Sequence, residues 1–447
     1  RTVTLLLVRK TSQVADWRTT VLDGIDWVPG GPRDGLRRGR TSWQGHEVVV
    51  AAWDFAVYGG SFGVAASTAF AAACDDAVDR RLPLVSLVRS GGTRLQEGIA
   101  ALAGMPRAVL ALDRLAAAGL PHLAVCDQPT TGGVWVTVAS RADVRIAVAG
   151  AVVGFAGPRV VEALTGARPE GSHTARSAYD AGLVDVLVDA ADVAATVAGA
   201  LEQLLPGPPA PQAVPKRAQA LDREPWKQVL ATRASGLAAG AWLRAQLGDG
   251  AVPLRAADPT CAAWLGRWGG RPVVAYALGV SPGDAPGVAG FGLLERACGL
   301  AGRLGLPLVT AVDTPGADAR SASENAGLAP AIGAAMAALL RCPTPTVGVL
   351  VGEGGSGGAL AALATDRLWV TPDSYFAALV PEGAAAALKC SPEEAAVTLR
   401  LRPADVAALP VCDGILDPDD AAGTIAAALD EVGRDGDRLA HRRARWG

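Results

Sequence analysis

The sequence predicts an α/β protein built of two similar domains in tandem, each alternating largely parallel strands with helices. Three observations carry that expectation. The first is a long internal repeat. Gly63-Val64-Ala65, Cys74, Leu82-Pro83-Leu84-Val85 and Gly92 recur 224 residues later, without a gap, as Gly287-Val288-Ala289, Cys298, Leu306-Pro307-Leu308-Val309 and Gly316. A shift of 225 lays Thr131-Gly132-Gly133 on Ser356-Gly357-Gly358, and Gly182-Leu183-Val184-Asp185 echoes Gly414-Ile415-Leu416-Asp417. A period this long denotes two domains, not a solenoid. The second is that short Val/Leu/Ala runs alternate with Ala-rich helical stretches, the pattern of α/β units. The third is that those runs are continuously apolar, as parallel strands buried on both faces require.

Taken in order, residues 1–45 form a polar, Trp-containing lead-in to which the sequence assigns no fold. The first domain covers 46–205. Its strands are expected at Val48–Trp53, Leu84–Val88 and Leu123–Val125, with helices at Ala65–Ala77 and Ala108–Ala118. Residues 206–222 open on Pro206-Gly207-Pro208-Pro209-Ala210-Pro211 and continue to Pro215, which reads as a semi-rigid linker. The second domain covers 223–447, with strands at Val273–Ala277, Leu308–Val312 and Thr346–Val351.

Composition narrows the functional classes. Half of the 447 residues are hydrophobic, enough for a substantial core in each half. A net charge of −3 argues against a nucleic-acid-coating surface, and the basic cluster Arg442, Arg443 and Arg445 reads as a solvated helix end. The apolar segment Val3–Val8 is too short to span a bilayer and precedes no cleavage pattern. The seven cysteines contain no C-x-x-C pair, so they read as small buried hydrophobes in a reducing cytoplasm, with no metal site. His46, His122 and His173 lack metal-ligand spacing.

The chemistry is expected at glycine turns where strands end. In the first domain these are Ser90-Gly91-Gly92-Thr93-Arg94 and Pro129-Thr130-Thr131-Gly132-Gly133. In the second they are Asp313-Thr314-Pro315-Gly316-Ala317 and Gly352-Glu353-Gly354-Gly355-Ser356-Gly357-Gly358-Ala359. Glycine permits φ > 0 and close approach of a ligand. Backbone N–H groups from two such turns that converge on one oxygen make an oxyanion hole, suited to an enolate or polarised carbonyl. Any one turn alone reads as an ordinary cap; paired turns in both repeats favour function. Glu97 and Glu353 beside the turns read as helix-start carboxylates or as acceptors that order a turn. Gly354, Ser356 and Gly358 also fit G-x-S-x-G, but a hydrolase elbow needs an acid and a histidine downstream, and only His441 follows.

These motifs carry a resemblance. Ser90-Gly91-Gly92-Thr93-Arg94-Leu95-Gln96-Glu97-Gly98, Tyr58-Gly59-Gly60-Ser61-Phe62-Gly63, Pro129–Val134 and Gly154-Phe155-Ala156-Gly157-Pro158-Arg159-Val160 resemble the carboxyltransferase β subunit of bacterial acetyl-CoA carboxylase. Glu224-Pro225-Trp226-Lys227-Gln228-Val229, Asp313–Ala317, Gly352–Leu360 and Pro381-Glu382-Gly383 resemble its α subunit. Over residues 48–190 and 223–425 the chain is thus similar to a β–α fusion. The resemblance implies two tandem domains of the ClpP/crotonase superfamily, each a ββα spiral, with a shared active site that in the family forms across a dimer. It implies that carboxybiotin on a separate carrier protein releases CO₂, that the biotin nitrogen takes the α-proton of an acyl-CoA, and that the enolate attacks CO₂. By position, Gly91, Gly92, Gly132 and Gly133 would hold the thioester enolate oxygen. Gly316, Ala317, Gly357 and Gly358 would hold the ureido oxygen of biotin. Arg94 and Arg159 read equally as contacts to coenzyme A phosphates or as surface ion pairs. The implied partners are biotin carboxylase, biotin carboxyl carrier protein and further copies of the chain, with no nucleic acid and no membrane.

The sequence also departs from the family. It has no four-cysteine zinc ribbon before the core. Ala277-Leu278-Gly279-Val280-Ser281 stands in place of a Lys-Gly-Arg stretch, and Trp135 in place of a small residue. Met105 and Met336 are its two methionines and neither flanks a lysine, so it carries no biotinyl-lysine motif. Two alternatives stay open: a biotin-independent decarboxylase of a malonyl or methylmalonyl thioester, and a non-catalytic paralogue.

Overall fold

The computed structural model describes residues 17–29, 35–205 and 216–447. The apolar segment Val3–Val8 and the proline run 206–215 lie outside the described residues. Two compact units divide the chain. The first takes residues up to Leu115, His122–Arg176 and Leu187–Ala198; the second takes Ala116–Pro121, Ser177–Val186 and everything from Gly199.

The first sheet holds β1 (Asp26–Trp27), β2 (Leu36–Trp43), β3 (His46–Trp53), β4 (Leu84–Ser90), β5 (His122–Thr131), β6 (Val144–Val148), β7 (Val153–Gly154) and β8 (Val186–Val188). Its order is β1-β2-β3-β4-β5-β6-β8, with β7 pairing beside the end of β5. The hairpin β2–β3 is antiparallel, and β3 to β6 are parallel. The second sheet holds β9 (Val252–Leu254), β10 (Cys261–Trp268), β11 (Arg271–Leu278), β12 (Leu308–Thr314), β13 (Thr346–Gly355), β14 (Arg367–Val370), β15 (Tyr375–Ala377) and β16 (Gly414–Ile415). It repeats the plan: β9 to β11 antiparallel, β11 to β14 parallel, β15 beside the end of β13. The tandem α/β, crotonase-like expectation is met.

Every strand named from the sequence is present. Most run further than expected, because backbone pairing continues into the glycine turns. The helices repeat in register too: Val64–Arg80 and Gly104–Ala117 in the first unit, Val288–Leu304 and Leu328–Arg341 in the second. In Val64–Arg80 the buried residues Ala66, Phe70, Ala73, Cys74 and Ala77 form one apolar stripe at helical spacing. Phe70 is fully buried with its ring 5.7 Å from that of Trp53. Replacing such a side chain with alanine costs about 3–5 kcal/mol. Both central strands, β4 and β12, are buried nearly throughout, as a parallel core strand should be.

Two expectations change. The lead-in contributes β1 and β2 to the first sheet. The basic cluster at the C-terminus is not a solvated end. In the helix Arg438–Trp446, Arg442 is buried, pairs with Asp366 and donates to the carbonyls of Leu339, Cys342 and Thr344. Arg445 pairs with Asp413. A buried guanidinium persists because all its donors meet acceptors. Arg443 is exposed. All seven cysteines are free, five buried and two half-buried. No helix among the described residues is long and apolar enough to cross a membrane.

Candidate active site

In each unit, two strand ends bring two turns into contact. Ser90 pairs with Thr130 after a register shift beyond Val88, and Thr314 pairs with Gly354 after the same shift beyond Val312. The shift releases β4 and β12 into the turns while β5 and β13 continue into short helices, Gly133–Thr137 and Ser356–Leu360. Where strand gives way to helix one residue has a positive φ: Gly132 at +66°, just before the first helix, and Ser356 at +58°, the first residue of the second. These two are 224 apart, so the structure aligns Thr131-Gly132-Gly133 with Gly355-Ser356-Gly357, one residue from the alignment that glycine matching suggests.

The contact between the turns is close enough to require glycine. Gly92 has φ +113°, and a Cβ on Gly132 would lie 2.7 Å from the Gly92 Cα and 3.3 Å from the Thr93 nitrogen. In the second unit a Cβ on Gly355 would overlap the Pro315 carbonyl oxygen, and one on Gly358 would lie 3.1 Å from the Ala317 nitrogen.

The backbone donors sort themselves. The Gly91 N–H donates to Gly59 O at 2.9 Å and the Gly132 N–H to Phe155 O at 2.9 Å, so both are engaged in holding the turns. The Gly92 N–H reaches Ser90 Oγ at 3.2 Å, and the Gly316 N–H reaches Thr314 Oγ1 at 3.1 Å. Among the described residues the N–H groups of Thr93 and Gly133, and of Ala317, Gly357 and Gly358, meet no acceptor. Thr93 and Gly133 fall on Ala317 and Gly357 under the 224 offset, which leaves one equivalent donor pair per unit. Thr93 escaped the sequence reading because nothing in its residue type marks it; the repeat spacing was the available signal.

Side chains brace the turns. In the first unit, Arg94 is buried and donates to Ser61 Oγ, Ser61 O and Glu97 Oε1 at 3.0 to 3.2 Å. Glu97 Oε2 accepts the Val64 N–H at 2.6 Å, ordering the start of that helix. Arg159 is exposed in the first turn of the helix Pro158–Thr165. Trp135 is buried.

In the second unit, Asp313 accepts the Glu353 N–H at 2.8 Å. Burial, joined by the Glu353 and Asp284 charges, pushes the Asp313 carboxyl up to about 6. Glu353 accepts from the Tyr375 hydroxyl and from Arg233 Nε at 3.1 Å, and Arg233 pairs in turn with Glu382. Burial and then the Glu353 hydrogen bond raise the Tyr375 phenol, so it stays a donor. A pocket of about 360 Å³ opens beside this elbow, lined by Ser356, Gly357, Leu360, Phe376, Ala377 and Ala378. His441 is engaged with Asp435 at 2.7 Å, and the Ser356 hydroxyl meets no base among the described residues, which removes the hydrolase triad.

Two crotonase-like domains each carry an elbow with an equivalent pair of open N–H donors, an arrangement able to polarise a carbonyl oxygen. The comparisons place the chain more closely. The model for the carboxyl transferase domain matches residues 23–229, and that for acetyl co-enzyme A carboxylase carboxyltransferase-like proteins matches 287–431. The acetyl-coenzyme A carboxylase carboxyl transferase subunits beta/alpha of Salinispora tropica are 36% identical over 408 residues, covering 85% of this chain and 72% of that protein. A probable biotin-dependent acyl-coenzyme A carboxylase beta3 subunit of Mycobacterium tuberculosis is 36% identical over 371 residues, covering 80% and 74%. The transcarboxylase 12S core, a hexamer solved with hydrolysed methylmalonyl-coenzyme A bound, shares the fold with a TM-score of 0.76 at 23% identity, over 91% of this chain and 87% of that one. The chain belongs to the acetyl-coenzyme A carboxylase carboxyl transferase beta/alpha family and is a carboxyltransferase.

Proposed function

We propose that the chain is the carboxyl-transfer component of a biotin-dependent acyl-CoA carboxylase, with the thioester held by the first unit and the ureido ring of biotin by the second. The duplicated pair of open N–H donors carries this reading. Carboxyl transfer to an acyl thioester needs two carbonyl-type oxygens polarised, one on each reactant.

In the first unit the Thr93 and Gly133 N–H groups, with Gly92 shaping the turn, hold the thioester oxygen. Charge flows onto that oxygen as the α-proton leaves, and each fixed donor there is worth about 3–4 kcal/mol. In the second unit the Ala317 and Gly357 N–H groups, with Gly316 and Gly358 closing the turn, hold the ureido oxygen. The apolar walls Leu360, Phe376 and Ala377 suit a flat, uncharged bicycle with one polar edge. Biotin, when bound, supplies the carboxyl carrier and the nitrogen that takes up the proton. Arg94 braces the first turn, and exposed Arg159 contacts a coenzyme A phosphate.

The proposal extends to the surroundings. The biotin is attached to a separate carrier protein charged by a biotin carboxylase. The chain works as a homo-oligomer in the cytoplasm, and no metal takes part. Mixing it with a biotin carboxylase, a biotinylated carrier, ATP, bicarbonate and acetyl-, propionyl- or long-chain acyl-CoA tests this. The expected result is a carboxylated thioester from at least one of them; none from any would contradict the reading.

A further inference from the structure

We propose that the Ser356 hydroxyl is a side-chain donor of the second elbow, binding the oxygen held by the Gly357 N–H. This rests on the carboxyl-transfer reading above.

The position itself is informative. Ser356 has a positive φ, +58°, at the position that falls on Gly132, φ +66°, under the 224 offset. Glycine adopts that conformation freely, whereas a residue with a Cβ is strained in it. Glycine is abundant all around, at 352, 354, 355, 357 and 358, so the chain's local composition does not explain a serine. Strain retained at a site calls for a use of the side chain.

The fold does not use it. Among the described residues the Ser356 hydroxyl has no hydrogen-bond partner. Its neighbours in the network, Glu353, Arg233 and Tyr375, bond one another instead. Placement supplies the use. Ser356 Oγ lies 3.7 Å from where a Cβ on Gly316 would sit, so it stands between the two turns of the elbow. The residue also lines the apolar pocket together with Gly357, Leu360 and Phe376. Half-buried at the pocket wall and without a protein partner among the described residues, the hydroxyl is open to a ligand. With no base bonded to Oγ, its role is to bind, not to attack.

The test uses Ser356→Ala and Ser356→Gly in the full chain, assayed in the reverse direction with malonyl-CoA or methylmalonyl-CoA and free biotin. Both variants are expected to lose roughly tenfold to a hundredfold in kcat/KM for biotin, the effect of one hydrogen bond to a polarised group. KM for the thioester should stay within about twofold. Ser356→Gly should also melt at a higher temperature than wild type, since it relieves the strained backbone. A variant both slower and more stable is what a merely structural serine could not give. Undiminished kcat/KM in either variant would overturn the assignment, as would a defect confined to Ser356→Ala, which would point to backbone shape. If wild type itself shows no biotin-dependent turnover, the carboxyl-transfer reading falls, and this assignment with it.

Discussion

The turn after β4 in the first unit is flanked by Arg89 and Arg94; the turn after β12 in the second is flanked by Asp313 and Asp318, at positions 224 residues on. The backbones match strand for strand, down to the register shift before each turn. The side chains around them are opposite in sign. Each charge is answered locally: Arg94 by Glu97, Arg89 by the Gln128 carbonyl, Asp318 by Arg320, Asp313 by the Glu353 N–H. The comparison separates two jobs. The backbone makes the elbow with its open N–H donors, which duplication preserved. The side chains set the electrical surroundings, which diverged. Under the proposed assignment, arginines suit a half that would meet an anionic, phosphate-bearing thioester, and carboxylates one that would meet a neutral ring.

Substitutions can break this comparison. The largest effect is expected from Gly92→Val, which puts a side chain at φ +113° and fills the first elbow. Turnover should fall at least a hundredfold, with a strain cost of about 1–3 kcal/mol. Steady-state kinetics beside thermal melting decide it, and unchanged activity would sink the elbow's role.

Gly357→Val probes the second unit, at the position that matches Gly133. A Cβ there meets nothing within 4 Å, so the fold should be unaffected. The added bulk projects at the pocket that Gly357 lines, so kcat/KM for biotin should fall roughly tenfold or more. A rise in thioester KM instead would show that the two elbows have been assigned the wrong way round.

Asp313→Asn probes the difference in charge. The folded-state carboxyl is raised from 3.8 to about 6, chiefly by burial. The proton is therefore held more tightly in the folded chain. The stability this gives is fully present below pH 4 and is lost as pH rises through about 6. The variant, free of that loss, should be more stable than wild type by up to about 3 kcal/mol at pH 8 and no more stable at pH 4. Denaturant melts at the two pH values check it, and a gap that widens on acidification would contradict the burial argument. The smallest effect is expected for Arg159→Ala: thioester KM up by roughly threefold to tenfold with kcat unchanged, as for one exposed phosphate contact. An unchanged KM would remove Arg159 from the site.

Much of this was legible in the sequence, for identifiable reasons. β4 and β12 are buried on both faces, so Leu84–Val88 and Leu308–Val312 are mostly apolar and the strands declare themselves. The turns declare themselves because close packing at Gly132 and Gly355 admits glycine alone. Other features hid. β2 carries Arg37, Arg38 and Arg40 on a half-exposed antiparallel strand, which masks its alternation. Ser356 was displaced by one residue because glycine matching favours Gly357 over the conformationally equivalent position. The segment Ser177–Val186 groups with the second unit through Asp185, whose carboxylate accepts from the Arg255 N–H and pairs with Arg296. Partners 70 and 111 residues away leave no local trace. Arg442 looked like a charged tail because its acceptors are mostly backbone carbonyls, which sequence does not distinguish.

The most direct measurement incubates the purified chain with malonyl-CoA and with methylmalonyl-CoA, with and without free biotin, and follows loss of the carboxyl group. Turnover that requires biotin is the predicted result, because holding it is the role proposed for the second elbow. Acyl-CoA formed equally well without biotin would make the chain a decarboxylase and leave the second elbow without its proposed ligand.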